Sequence, residues 1–145
     1  MDKLMMEKAI KIIKDSKDAE YGVINVGFAV LDENGYPSSS AISLADMEGL
    51  TELYFTTSTD SNKARRLAKS NKACVSYYNM ENNITFVGEA EVLTDQATKD
   101  TCWQEWFIEH YTGGKTDPNY CVIKFTVKRA NLYFGAEDKA AEFTI

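Results

Sequence analysis

The stretch Leu53-Tyr54-Phe55-Thr56-Thr57-Ser58-Thr59-Asp60-Ser61-Asn62-Lys63, continuing as ARRLAKSNKACVSYYN through Asn79, is the most informative part of the chain. Residues 50–57 read as a strand that ends in hydroxyl side chains. Residues 60–70 read as a short helix: Asp60 or Ser61 can cap it, and Ala64, Leu67 and Ala68 form a narrow apolar face. Residues 73–78 read as the next strand. Helix N-termini leave N–H groups unpaired and carry partial positive charge, so they accept anions. Lys63 adds a full charge, with Arg65 and Arg66 nearby. Together they could hold a phosphate monoester through charge-assisted hydrogen bonds. The same residues also suit a plain capped turn with a solvated basic face, and composition alone leaves both readings open.

Upstream, Ile24, Val26, Phe28 and Val30 alternate with Asn25, Gly27 and Ala29, which is strand periodicity. Asp32-Glu33-Asn34-Gly35 supplies a turn, and Asn34-Gly35 is a strong hairpin signal because both residues tolerate positive φ. A second strand is expected over Pro37–Ala45 and a turn at Glu48-Gly49. Downstream, Ile84–Leu93 reads as a strand. Cys121, Ile123, Phe125 and Val127 alternate with Lys124, Thr126 and Lys128 in another, and a last strand lies near Asn131–Gly135. The N-terminus predicts a helix with Leu4, Met5, Ala9, Ile12 and Ile13 on one face. A longer helix starts at Thr94 or Asp95. Its aromatic face carries Cys102, Trp103, Trp106, Phe107 and His110, and it stops at Gly113-Gly114. Short turns imply antiparallel neighbours. A sheet of six or seven such strands loses its exposed edges best by closing on itself. The βαβ rhythm, GxGxxG and GxxxxGK[ST] are all absent. The expected architecture is therefore a small antiparallel β-barrel with helices packed outside.

The chain's 145 residues fit one domain spanning 1–145, and its net charge of −6 argues against nucleic-acid backbone binding. Three cysteines, Cys74, Cys102 and Cys121, form no CxxC pair and point to a reduced, cytoplasmic setting, with Cys74 and Cys121 as buried thiols. A single histidine, His110, argues against multi-histidine metal sites, so no metal is expected. No signal peptide and no membrane-spanning run is evident. Trp103 and Trp106 could stack on a planar ring, but their spacing favours burial of a helix face.

The run LYFTTSTDSNKARRLAKSNKACVSYYN resembles the flavin-phosphate segment of the pyridoxamine 5′-phosphate oxidase-like family. Ile84–Leu93, with Val87, Gly88 and Ala90 at its centre, is similar to that family's following strand, and Tyr120–Val127 to its closing one. The resemblance spans about residues 20 to 135. It implies a mainly β fold, an antiparallel split β-barrel with flanking helices, that binds FMN. Thr56 and Thr57 would meet the ribityl chain and phosphate, and Ser61 and Lys63 the phosphate. Asn62 stands between them where the family often has Arg, leaving Arg65 or Arg66 to compensate. Ser40, Ala41, Ile42 and Ser43 would run beside the isoalloxazine ring, their backbone meeting its polar edge, although the Arg and Lys often found on this strand are absent. Asn83 would reach the flavin from a second subunit of a homodimer with FMN at the interface. The chain ends at Ile145, without the family's product-gripping C-terminal segment. The expectation is the short, general-stress-protein-like branch rather than the vitamin B6 oxidase itself. The implied function is a flavin-dependent oxidoreductase acting on a small molecule, with no catalytic residue assigned. The alternatives are a non-catalytic flavin-binding or stress-related module, or a split barrel that holds haem (through His110) or a deazaflavin.

Overall fold

The computed structural model describes Met1–Ile145 throughout. Helix α1 (Lys3–Asp15) precedes three antiparallel strands: β1 (Ile24–Leu31), β2 (Pro37–Glu48) and β3 (Glu52–Ser58). Helix α2 (Asn62–Leu67) leads into β4 (Lys72–Tyr78) and β5 (Asn82–Leu93). Helix α3 (Gln96–Cys102) and two 3-10 turns then precede β6 (Tyr120–Phe134) and β7 (Lys139–Thr144). The sheet order is β3-β2-β1-β4-β5-β6-β7, and an added β3–β6 pairing closes six strands into a barrel. Every pairing is antiparallel. The expected split-barrel class is the fold observed.

Alternation builds the interior. Val26, Phe28 and Val30 of β1, Ile42 and Leu44 of β2, and Leu53 and Phe55 of β3 point into one cluster with Ile84 and Phe86 of β5. Phe28 meets Phe55 edge-on at 5.3 Å and Phe125 at 6.1 Å, a favoured aromatic geometry. Helix α1 buries Met5, Met6, Ala9, Ile10 and Ile13 in the same cluster. The expected stripe had the right axis through Met5, Ala9 and Ile13 but the wrong flank. Leu4 is 78% exposed, because the barrel lies on the Met6–Ile10 side.

The expected turn over Asp32–Gly35 joins β1 to β2 as a hairpin. Only Gly35 is left-handed, with φ 82°. The Asp32 carboxylate accepts the N–H groups of Asn34 and Tyr36 and organises the turn. The long aromatic helix breaks after Cys102, where Trp103 turns extended, and resumes as a 3-10 turn over Glu105–Glu109. A straight helix runs tangent to a curved wall. The break lets Cys102, Phe107 and Tyr111 all reach Tyr120 and Val122 on the outside of β6.

The two expected C-terminal strands are one strand of 15 residues. Val87 pairs with Arg129 while Gly88 pairs with Val127, so Lys128 is an extra residue, a bulge. The bulge switches the buried set from Ile123, Phe125 and Val127 to Ala130, Leu132 and Phe134. That phase change makes one strand read as two. Strand β7, unforeseen in its Ala- and Glu-containing sequence, pairs with the far half of β6.

Opposite the bulge, a Cβ on Gly88 would lie 2.0 Å from the Thr126 carbonyl oxygen, whereas one on Gly35 would meet nothing within 4 Å. Gly88→Ala should therefore cost ~3 kcal/mol or more by forcing the β5–β6 backbones apart. Gly35→Ala should cost about 1 kcal/mol, from φ strain alone. Urea unfolding midpoints of the two variants check this ordering, and equal losses would contradict it.

Candidate functional site

Strand β3 leaves β2 before it leaves β6. Its β2 pairing ends at Ser43–Thr56, while its β6 pairing continues through Thr57–Cys121 to Ser58–Tyr120. Beyond Ser43, the β2 edge facing β3 therefore has no strand partner over Ser40–Ile42. Backbone N–H and C=O groups there are free to meet a ligand. This is the split in the barrel. It places Ser43 opposite Thr56, with Ile42, Ala41 and Ser40 following along the bared edge. Ile42 points into the core and can offer only its backbone. Ser43 lends its hydroxyl to Asn25 Oδ1 at 3.1 Å.

After Ser58 the chain turns through Thr59-Asp60 into α2. Ser61 is the N-cap: its Oγ accepts the Ala64 N–H at 3.2 Å, and its own O–H remains available to donate. The N–H groups of Asn62 and Lys63 have no intrahelical acceptor. With six residues, α2 has only a small axial dipole, so the charge here comes from side chains. Lys63 is half-buried. Burial alone lowers its pKa from the ordinary 10.5, and no carboxylate stands close enough to hold it up. An ammonium partly removed from water without an anion beside it is a site that an anionic ligand would complete.

The two arginines offered as compensation are otherwise engaged. Arg66 forms a forked pair with Glu33 on the β1–β2 turn, at 3.2 and 3.3 Å, and lowers the Glu33 pKa. The Arg65 guanidinium donates to the Asn62 side-chain oxygen. Asn62 itself is exposed. The donor set that remains is Lys63 with the hydroxyls of Thr56, Thr57 and Ser61, which suits one phosphate ester.

Two cavities compete as the place for a planar ring. The larger, about 730 Å³, lies between α2 and the β5–β6 pair, and its wall includes Glu89 and Glu91. Carboxylates there disfavour a phosphate ester. The other, about 370 Å³, is floored by Asn25 and Gly27 of β1, flanked by Ser39, Ser40 and Ala41 of β2, and walled by Ser76, Tyr77 and Tyr78 of β4. It begins at the free β2 edge. Gly27 keeps its floor low, since a Cβ there would come within 2.8 Å of Ser76 Oγ.

Asn83 is exposed on β5, where it pairs with Tyr78 at the end of the groove but lies far from the phosphate segment within one chain. It pairs with Tyr133 of β6, while Thr56 pairs with Val122, eleven residues away and about 35 Å along the strand. Trp103 packs edge-on to Phe107 and Tyr120, and Trp106 to Phe107 and the exposed His110 ring. Burial pushes the Cys102 and Cys121 thiols up to about 11, so both stay protonated near neutral pH. Cys74, expected to be buried, is only partly so.

The sequence reading missed the support behind the phosphate segment. Thr59 donates its N–H to the Asn119 carbonyl at 2.9 Å and its hydroxyl to Asn119 Oδ1 at 3.0 Å. Ser58 Oγ meets the Tyr111 hydroxyl at 3.2 Å. The signal was Asp117-Pro118-Asn119, a turn-forming run in which the Asp117 carboxylate accepts the Asn119 N–H.

The model of the family described as pyridoxamine 5′-phosphate oxidase like matches residues 7–145. The chain belongs to that family. Its neighbours among solved structures include proteins named as general stress proteins. One neighbour is a Clostridium acetobutylicum protein related to general stress protein 26 of B. subtilis, assigned to the pyridoxinephosphate oxidase family. It is 27% identical, with a TM-score of 0.82, over 100% of this chain and 97% of that one. The general stress FMN/FAD binding protein of Xanthomonas citri is 21% identical, with a TM-score of 0.74, over 99% and 97% of the two chains. A heme binding protein of Mycobacterium smegmatis shares the fold at 17% identity and a TM-score of 0.65, over 83% of this chain and 52% of that one. No curated protein matches the chain.

The state of Lys63 makes a testable difference between stability and binding. Because burial lowers its folded pKa below the ordinary 10.5, the charged form opposes folding at neutral pH. That penalty is full below the folded pKa and fades as pH rises towards 10.5, where the unfolded side chain also loses its proton. Ligand-free Lys63→Met should therefore be more stable than the wild type at pH 7. The gap should narrow as pH approaches 10.5, as measured by thermal unfolding across that range. A gap that widens with pH would contradict the burial argument.

Proposed function

We propose that residues 1–145 form one FMN-binding split-barrel domain, with the flavin phosphate at Thr56, Thr57, Ser61, Asn62 and Lys63. The observation that carries this reading is the half-buried, carboxylate-free Lys63, two residues after the Ser61 cap in the segment that follows the point where β3 leaves β2 unpaired. Lys63 would neutralise the phosphate, while Thr56, Thr57 and Ser61 donate to its oxygens and to the ribityl chain. The Asn62 and Lys63 N–H groups complete the cradle. The free backbone of Ser40–Ser43 would orient the ring's polar edge, and the groove over Gly27 would exclude water from one ring face. Bound FMN supplies hydride or electron transfer, and the protein supplies position and electrostatics.

We further propose a homodimer with FMN at the interface. The separation of Asn83 from Thr56 within one chain supports a site completed by a second copy, as does the exposure of Tyr78 (78%) on the groove wall and Met80 (101%) on the turn after it. The function is then that of a cytoplasmic, general-stress-protein-like flavoprotein, an oxidoreductase acting on a small molecule. Three free cysteines fit a reducing compartment. The chain contains no helix long and apolar enough to cross a membrane.

Adding FMN, removing the excess and recording the visible spectrum should leave flavin bands on the wild type. Lys63→Ala and Ser61→Ala should each weaken FMN by roughly 10- to 100-fold, the weight of a charge-assisted hydrogen bond. Unchanged affinity would remove the site assignment. Rapid reduction by NADH or NADPH, followed by transfer to an acceptor, supports an oxidoreductase, whereas tight binding without turnover identifies a non-catalytic module.

A further inference from the structure

Lys99 is the one charged residue that is buried in the molecule, 5% exposed. Its Nζ donates to the Asp117 backbone carbonyl at 2.9 Å and lies 5.2 Å from the centre of the Tyr120 ring. The Tyr120 hydroxyl donates in return to the Lys99 carbonyl at 2.8 Å. Both ends of Lys99 thus grip the turn from Asp117 to Tyr120. Burying an ammonium is costly unless it is well partnered. An apolar side chain of similar length would avoid that cost and could still lie against the Tyr120 ring, but it could not hold the Asp117 carbonyl.

That turn is the support of the phosphate segment. The Asp117 carboxylate accepts the Gly113 and Asn119 N–H groups at 3.0 and 2.9 Å. Asn119 then holds Thr59 by two hydrogen bonds, two residues before Ser61. Past Thr56, β3 has lost β2, so Thr57–Thr59 are held by the β6 side, by the Tyr111 hydroxyl through Ser58 Oγ, and by this turn. A continuous chain of contacts runs from Lys99 through Asp117 and Asn119 to Thr59.

We propose that Lys99 is a positioning residue: a buried cation on α3 that fixes the Asp117–Tyr120 turn and, through Asn119 and Thr59, the register of the phosphate-binding hydroxyls. The inference rests on reading Thr56–Lys63 as the phosphate segment. It specifies recognition of the phosphate group rather than of the ring.

FMN and riboflavin, which share the ring and differ in the phosphate, separate the two. Their dissociation constants would be measured on the wild type, Lys99→Met and Asn119→Ala, with circular dichroism confirming the fold. Lys99→Met should weaken FMN about tenfold while leaving riboflavin within about twofold. Asn119→Ala, on an exposed-side turn, should do the same. A folded Lys99→Met that keeps the wild-type FMN-to-riboflavin ratio overturns the proposal. Should Lys99→Met fail to fold, Asn119→Ala decides: a lowered ratio supports the positioning chain, and an unchanged ratio overturns it. A wild type that binds the two flavins equally well overturns the phosphate-segment reading itself, and this inference with it.

Discussion

Strand β6 is the constraint on which the rest of the molecule depends. It pairs with β5 along nearly its whole length, with β3 over its first half and with β7 over its second. Closure of the barrel is therefore a property of one strand's two edges. Half of β6 seals the cylinder by accepting β3, and the other half, turned by the Lys128 bulge, continues beyond it. The bulge is accommodated only because Gly88 lets the Thr126 carbonyl come close. Without that approach, Phe125 and Phe134 could not both point inward from one strand.

The candidate site follows from the same geometry. Because β3 stays with β6 after it has left β2, an edge of β2 is bared and a hydroxyl-rich segment is held on one side only. Two consequences meet there. Free backbone groups become available to a ligand, and the segment needs support from elsewhere. The support comes from the turn before β6, so the strand that closes the barrel also begins at the brace of the site. Lys63 adds a charge that the fold does not neutralise, an arrangement in which stability is given up at a place where an anion can restore it.

Polar side chains near the site divide by what they already hold. Arg66 is engaged with Glu33 and Arg65 with Asn62, while Lys63 is free of carboxylates. Counting basic residues in KARR, residues 63–66, would assign the phosphate to any of them, and only their partners separate the three. The same holds for the aromatic residues: Trp103 and Phe107 seal the outside of β6 around Tyr120, and their spacing on a presumed helix did not reveal the break at Trp103.

The local signals were strong where one face of an element is buried and the period is unbroken. Ile24–Val30, Ile84–Leu93 and the Ser61-capped helix were legible for that reason, as was the antiparallel barrel their short turns imply. The strand–loop–helix segment also made Thr56, Thr57, Ser61 and Lys63 candidates, since a phosphate cradle needs hydroxyls and a cation within a few residues. Pairings between distant residues lay beyond such reading. The bulge at Lys128 reverses the alternation within β6, so a single strand carried the pattern of two. The flank of α1 that is buried depends on where the barrel lies, and the sequence period fixes only the stripe's axis. The partners of Arg66, Thr59 and Lys99 lie 33, 60 and 18 residues away, and no local pattern encodes them. Periodicity determined which faces are apolar. Tertiary closure decided which edges stay open, which charges stay unpaired, and hence where a ligand can sit.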